Sequence, residues 1–202
     1  MPQKHEDVVM GIQRREIVNL LTIRLDERRL RHSLATEKEA IRLAAHHRED
    51  WRKAALAALL HDICKCDPAE WQLSYLRKAS VKLSAQWLRN PQLWHGPCAA
   101  EYIRRELNIT DREILGAVRW HTTGRPGMTN FEKVVFLADK IEPTRDYQGI
   151  QETRAAAYLS LDKAVHLELR HNLAKACKLG LPLVKEAWGA YNKLATTLST
   201  VN

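Results

Sequence analysis

Ala54–Leu60 is an unbroken run of seven apolar residues, with no polar face at either the helical or the strand period, and it runs directly into His61-Asp62. An element that is apolar on every side is buried on every side. The chain must therefore wrap other elements around this run, and the imidazole and carboxylate that end it are carried to or near the interior. There an unpaired charge is neutralised, paired or bound to a metal.

The elements available for the wrapping read as helices. Apolar residues recur at helical spacing from Gln13 to about Leu25 and again from Asp26 to His46, with a break near Asp26. Asp50 is placed to cap the apolar helix, which is expected to run to about Cys66-Asp67-Pro68. A weak helical rhythm continues over Ala69 to Asn90. His95-Gly96-Pro97 opens a helix that closes at Asn108, and Thr110-Asp-Arg-Glu113 has the capping-box pattern for a helix through Trp120. A Gly/Pro-marked loop follows, His121 to Gly127. Thr129-Asn-Phe-Glu132 is a second capping box for a helix ending before Pro143; after a turn at 146–149, Ser160 or Asp162 starts a helix to Leu179. Gly180 stops that helix and Pro182 begins the last one. No strand is expected. The reading is all-α, a single-domain bundle of seven to nine helices, which suits a chain of 202 residues.

Membrane, secreted and disulfide-built classes are set aside. No window approaches the roughly 18 uninterrupted apolar residues of a membrane span. The N-terminus lacks the basic-then-apolar layout of a secretion signal, so a cytoplasmic location is expected. The four cysteines, Cys64, Cys66, Cys98 and Cys177, are scattered and read as reduced thiols; Cys64-x-Cys66 lacks the second pair a zinc site needs. Lys and Arg exceed Asp and Glu by 32 to 24, a net charge of +8 that either attracts a polyanion such as a nucleotide, a polyphosphate or a nucleic acid backbone or serves as a solubilising surface. The absence of a recognition-helix or aromatic-interleaved motif argues against nucleic acid as the partner.

Nine histidines are candidates to complete the His61-Asp62 site. His5, His46, His47, His166 and His171 stand in polar or terminal settings and read as plain surface or core histidines. His32 lies mid-helix between Leu30 and Leu34, with Arg29 three residues before it on the same face. His95 opens a helix and His121 ends one, both positions from which a side chain projects into a cleft. Asp139 occupies the last turns of an apolar helix, repeating the logic of Asp62. The set His32, His61, Asp62 and Asp139 mixes imidazole and carboxylate donors, which suits iron, manganese or another divalent transition ion more than calcium. Lys65 follows His61 by four and Asp62 by three, so it either places an ammonium beside the metal and makes a phosphate site or caps the helix C-terminus.

In the order His32, His61-Asp62, Asp139 the chain resembles the HD-domain metal-dependent phosphohydrolases. HSLAT around His32, LLHDICK, His95-Gly-Pro, WHTTGRPGM and FLADKIEPTRDYQG are similar to the YqeK-type symmetrical bis(5′-nucleosyl)-tetraphosphatases, over about Arg29 to Leu179. The resemblance implies an all-helical HD fold; the chain as a whole is read as one such domain over 1–202, with a core of about 27–180 and a C-terminal helix, 181–198, expected to pack on it. It implies one or two iron ions at His32, His61, Asp62 and Asp139. It also implies hydrolysis of diadenosine tetraphosphate to two ADP, with Asp62 orienting or deprotonating the attacking water and Arg29, Lys65, Arg125 and Arg145 clamping the polyphosphate. Asp139 and Thr122 complete the substrate-binding set. His95 and His121 either hold a second metal or protonate the departing ADP. The alternatives are another HD-type hydrolase, acting on nucleoside monophosphates, dNTPs or guanosine tetraphosphate, and a non-catalytic nucleotide-binding module. A homodimer is left open. Residues 71–94 and the last helix carry none of the family's motifs.

Overall fold

A computed structural model of the chain describes residues 8, 9 and 12–200; His5 lies outside them. Eleven α-helices are present among the described residues, more than the seven to nine expected. They are α1 (Arg14–Arg24), α2 (Glu27–His46), α3 (Trp51–Leu60), α4 (Ala69–Lys78), α5 (Ala85–Leu88), α6 (His95–Glu106), α7 (Arg112–Trp120), α8 (Asn130–Ile141), α9 (Ile150–Leu159), α10 (Leu161–Lys178) and α11 (Lys185–Ser199). A two-residue antiparallel ribbon, β1 (Val8–Val9) with β2 (Ile12–Gln13), precedes them where no strand was expected. The all-α class holds.

α3 is the axis. All seven residues Ala54–Leu60 are buried, with α2, α7 and α8 packed around the helix. Asp50 caps it as expected, accepting from the Arg52 and Lys53 amides at 2.9 and 3.1 Å. The core is one continuous cluster that reaches Ala190 and Leu194 of α11. No helix among the described residues is long and apolar enough to cross a membrane. All four cysteines are free, Cys64 and Cys98 buried.

Several boundaries differ from the sequence reading for identifiable reasons. α3 stops at Leu60 rather than near Cys66, because the His61 imidazole takes the Ala58 carbonyl at 2.6 Å, the oxygen that Asp62 N–H would use in a continued helix. The chain then tightens into i→i+3 turns, with Ile63 N bonded to Leu60 O at 3.1 Å and Lys65 N to Asp62 O at 2.8 Å. Arg24 braces this turn through Ile63 O and Asp67.

Residues 69–90 are not one helix. Ser80 adopts φ +59° and the chain closes on α4 through Ser80 N to Arg77 O and Val81 N to Leu76 O, leaving α5 and a 3₁₀ turn (Pro91–Leu93) before α6. The Thr110 capping box is not used either. Lys53 pairs with Asp111 and Glu113, each at 2.8 Å, drawing Glu113 away, and Asp111 caps α7 instead. The Thr129–Glu132 box forms in full.

α9 was not foreseen, since of its buried positions, Ile150, Thr153, Ala156 and Ala157, only Ile150 is large and apolar, too little to write an apolar stripe. Pro182 does not open the last helix: Val184 is its N-cap.

Candidate active site

Five helices deliver the site. α2 carries Arg29 and His32, the turn that follows α3 carries His61 and Asp62, and the start of α6 carries His95. The end of α7 carries His121, and the last turns of α8 carry Asp139 and Lys140. His32, His61, Asp62, His95, His121 and Asp139 are all buried.

Their polar atoms converge. His32 Nε2 lies 3.3 Å from His61 Nε2 and 3.0 Å from Asp139 Oδ1, and His61 Nε2 lies 3.7 Å from Asp139 Oδ1 and 3.6 Å from Asp62 Oδ2. Such separations match donor atoms that share one cation at bond lengths of about 2.0–2.2 Å. The other oxygen, Asp62 Oδ1, faces His95 Nε2 at 3.3 Å and His121 Nε2 at 3.6 Å. The two donor groups, His32-His61-Asp139 and His61-Asp62-His121, thus share His61.

The backbone and a carboxylate set the tautomers. His61 Nδ1 faces Ala58 O at 2.6 Å and His121 Nδ1 faces Val118 O at 2.7 Å; a carbonyl only accepts, so each Nδ1 carries the proton and each Nε2 keeps its lone pair for the cluster. His32 Nδ1 faces Glu142 Oε1 at 3.0 Å, the carboxylate partner that orients a metal-ligating imidazole. Glu142 is fully buried and held by the amide and hydroxyl of Thr144 at 2.6 and 2.5 Å. α9 supplies Arg154, which donates to the carbonyls of Ile141, Glu142 and Arg145 and fixes this corner.

The charge states follow from the packing. Burial pushes the His61 imidazole down to about 4, against the pull of Asp62 and Asp139. Burial opposes ionisation of Asp62, yet His61, His121 and His95 around it hold its carboxyl well below the usual range. Burial likewise works against Asp139, and Lys140, His32, His61 and Arg145 outweigh it. Lys65 is lowered by burial, with Asp62 opposing. Burial also lowers the His95 imidazole against the pull of Asp62, whereas at His32 burial is outweighed by hydrogen bonds to Asp139 and Glu142, which raise it. Carboxylates and imidazole nitrogens placed together in this way are a donor set that fits a divalent transition ion.

A cavity of about 290 Å³ opens onto this cluster. It is lined by the expected residues Arg29, Asp62, Lys65, His95, His121, Thr122, Asp139 and Arg145. Lys65 Nζ lies 3.2 Å from His95 Nδ1, and Thr122 Oγ1 lies 3.2 and 3.0 Å from the Nε2 atoms of His95 and His121. Arg29 donates to Asp62 Oδ2 at 3.1 Å and Arg145 to Asp139 Oδ1 at 2.5 Å. Arg125 does not line the cavity; it pairs with Glu132 at 2.9 Å.

The sequence reading missed Glu142, Lys140 and the α10 wall. Glu142 follows Asp139 by three in an apolar context, the same signal that marked Asp139. Glu168, His171, Asn172 and Lys175 of α10 also line the cavity. Their i, i+3, i+4, i+7 spacing is visible in sequence but identical to that of a solvated helix face. His171, read as a plain surface or core histidine, belongs to this wall.

Comparison with known proteins bears on what such a site does. The profile of the HD domain matches residues 29–144. The symmetrical bis(5′-nucleosyl)-tetraphosphatase of Bacillus subtilis is 36% identical over 92% of this chain and 99% of its own length. The enzyme of the same name from Staphylococcus aureus is 35% identical over 89% of each chain. The crystal structure of an HD superfamily hydrolase from Clostridium acetobutylicum, described as involved in NAD metabolism, is similar with a TM-score of 0.89. That structure is 33% identical, and the match covers 92% of this chain and 98% of that one.

Proposed function

This chain belongs to the HD-domain family and, within it, to the symmetrical bis(5′-nucleosyl)-tetraphosphatases; on that premise we propose that it hydrolyses diadenosine tetraphosphate to two ADP with a divalent metal held by His32, His61, Asp62 and Asp139. One observation carries the reading: Asp62 faces two imidazole groups with its two oxygens, Oδ2 toward His61 at 3.6 Å and Oδ1 toward His95 at 3.3 Å. That arrangement supports a reading in which His32, His61, Asp62 and Asp139 would hold one ion and His95 and His121, with Asp62 beside them, would hold a second. Iron is our assignment among divalent metals on the strength of the family resemblance, and the imidazole and carboxylate donors are compatible with it.

Bound there, a divalent ion lowers the pKa of water toward neutrality and offsets charge on phosphate oxygens. The chain's own groups do the rest. Asp62, ionised and buried, orients the attacking water and accepts its proton. The water oxygen bonds to one inner phosphorus, the bond from that phosphorus to the central bridging oxygen breaks, and ADP departs on each side. Lys65, whose pKa burial lowers, stands beside His95 as the proton source for the leaving oxygen. Arg29 and Arg145 grip phosphate oxygens with paired N–H groups, while Lys140 and Lys175 add point charges from the cavity wall. A non-catalytic nucleotide pocket has no use for six convergent buried donors, which weighs against that alternative. We read the domain core as 27–180 with the last helix packed on it.

The test is product analysis. Purified protein of measured metal content is given diadenosine tetraphosphate and the products are separated. Two ADP are expected; ATP plus AMP, or no turnover with iron, manganese or cobalt, rejects the reading. Asp139→Ala is expected to lose metal and activity together.

A further inference from the structure

A second cavity of about 90 Å³ adjoins the catalytic cleft and plays no part in the chemistry above. One wall is a stripe of α10, where Leu169, Asn172, Leu173 and Ala176 fall at i, i+3, i+4 and i+7. Leu93 of the 3₁₀ turn faces it, and the connection from α10 to α11 closes it with Leu183 and Val184. Asn90 Nδ2 donates to Gln86 O and to Pro182 O, both at 2.9 Å, fastening the turn to that connection. The slot is therefore preformed. Leu173, Ala176 and Leu183 are only half-buried, so apolar surface is left facing it.

Thr122 and Asn172 belong to both cavities. Thr122 Oγ1 is within 3.2 Å of the Nε2 atoms of both His95 and His121, so the slot begins one side chain from the catalytic histidines. Asn172 Nδ2 is buried with no hydrogen-bond partner. A buried donor left unpaired is unfavourable, and an acceptor arriving with a ligand relieves it. Cations gather in the cleft and apolar side chains in the slot, the same division a nucleotide makes between its phosphates and its base.

We infer that this slot is the base subsite for one adenosine of the substrate, with apolar faces on the purine and Asn172 Nδ2 donating to a ring nitrogen, while the phosphates lie past Thr122 in the cleft. The inference rests on the reading of that cleft as the polyphosphate site. It assigns a role in base recognition to residues 90–93, α10 and the α10–α11 connection.

Calorimetric titration of the metal-loaded protein with ADP and with inorganic pyrophosphate tests it, through the ratio of the two affinities. The wild type is expected to bind ADP at least about tenfold more tightly than pyrophosphate, the base adding apolar burial and a hydrogen bond. Ala176→Phe, which fills the slot, is expected to lower the ratio about tenfold, and Asn172→Ala about threefold. Loss of folded protein lowers the number of sites and leaves the ratio intact, so a poorly folding variant does not imitate the result. A wild-type ratio near one, or a ratio that neither variant moves, overturns the subsite. The products from diadenosine tetraphosphate are measured on the same samples: two ADP with a flat ratio removes the subsite alone. A high ratio that falls in the variants without ADP release keeps the subsite and removes the activity.

Discussion

His46 and His47 lie edge to face with ring centroids 4.8 Å apart and planes at 81°, and His61 and His121 do the same at 4.8 Å and 81°. The two pairs differ in which nitrogen the backbone takes. In the outer pair Nε2 meets a carbonyl, His46 with Tyr158 O and His47 with Ala157 O, both at 2.7 Å. In the inner pair Nδ1 meets one, Ala58 O or Val118 O. The nitrogen facing a carbonyl carries the proton, and the other keeps its lone pair. For His46 and His47 the remaining Nδ1 stays close to the ring's own backbone; for His61 and His121 the remaining Nε2 stands at the far end of the ring, aimed at Asp62. One bond to the main chain thus commits a histidine to fastening helices or to a site.

Asp62→Ala tests the contrast most severely. Without the carboxylate that both inner imidazoles face, turnover of diadenosine tetraphosphate is expected to fall on the order of 10³-fold or more. Full steady-state activity in that variant ends the assignment.

Glu142→Gln keeps the shape beside His32 Nδ1 and removes the charge. Metal affinity is expected to drop about 10–100-fold, read by equilibrium dialysis with circular dichroism showing the helices intact. Unchanged affinity means that Glu142 serves only the corner around Thr144.

Gly96→Ala sharpens the comparison by moving helices rather than ligands. A Cβ there lands 2.8 Å from Arg119 O and 3.5 Å from His121 Cε1, so α6 and α7 must separate. A destabilisation of about 1–3 kcal/mol is expected, measured by thermal unfolding, together with reduced turnover, since His95 and His121 ride on those two helices.

The smallest effect belongs to the outer pair. His46→Ala and His47→Ala each remove one hydrogen bond to the end of α9, expected to lower stability by about 0.5–1.5 kcal/mol with turnover changed by less than about twofold. A large loss of activity in either would erase the distinction between the pairs.

Much of this was legible in the chain. Ala54–Leu60 dictated a buried axis because a helix without a polar face has no side to offer water. The carboxylates at its end and at the end of α8 announced a cation because an interior charge needs a partner. Asp50, the Thr129–Glu132 box and Gly180 marked helix ends through local chemistry, and the ordered histidines and aspartates marked the family. These signals depend on residues within a few positions of each other, or on a residue type that is costly wherever it is buried.

Tertiary structure decided what depends on distant partners. The ring nitrogen available at His61 and His121 is set by a carbonyl three residues back, but its value depends on Asp62 lying opposite. Glu142 became a histidine partner only because α8 ends against α2, and Arg125 left the site because Glu132 is its nearer partner. The α10 stripe of Glu168, His171 and Lys175 reads as a solvated face until packing turns it toward the cleft. A sequence states which groups need partners; only the packed chain, by bringing distant groups within a few ångströms, decides which partner each receives.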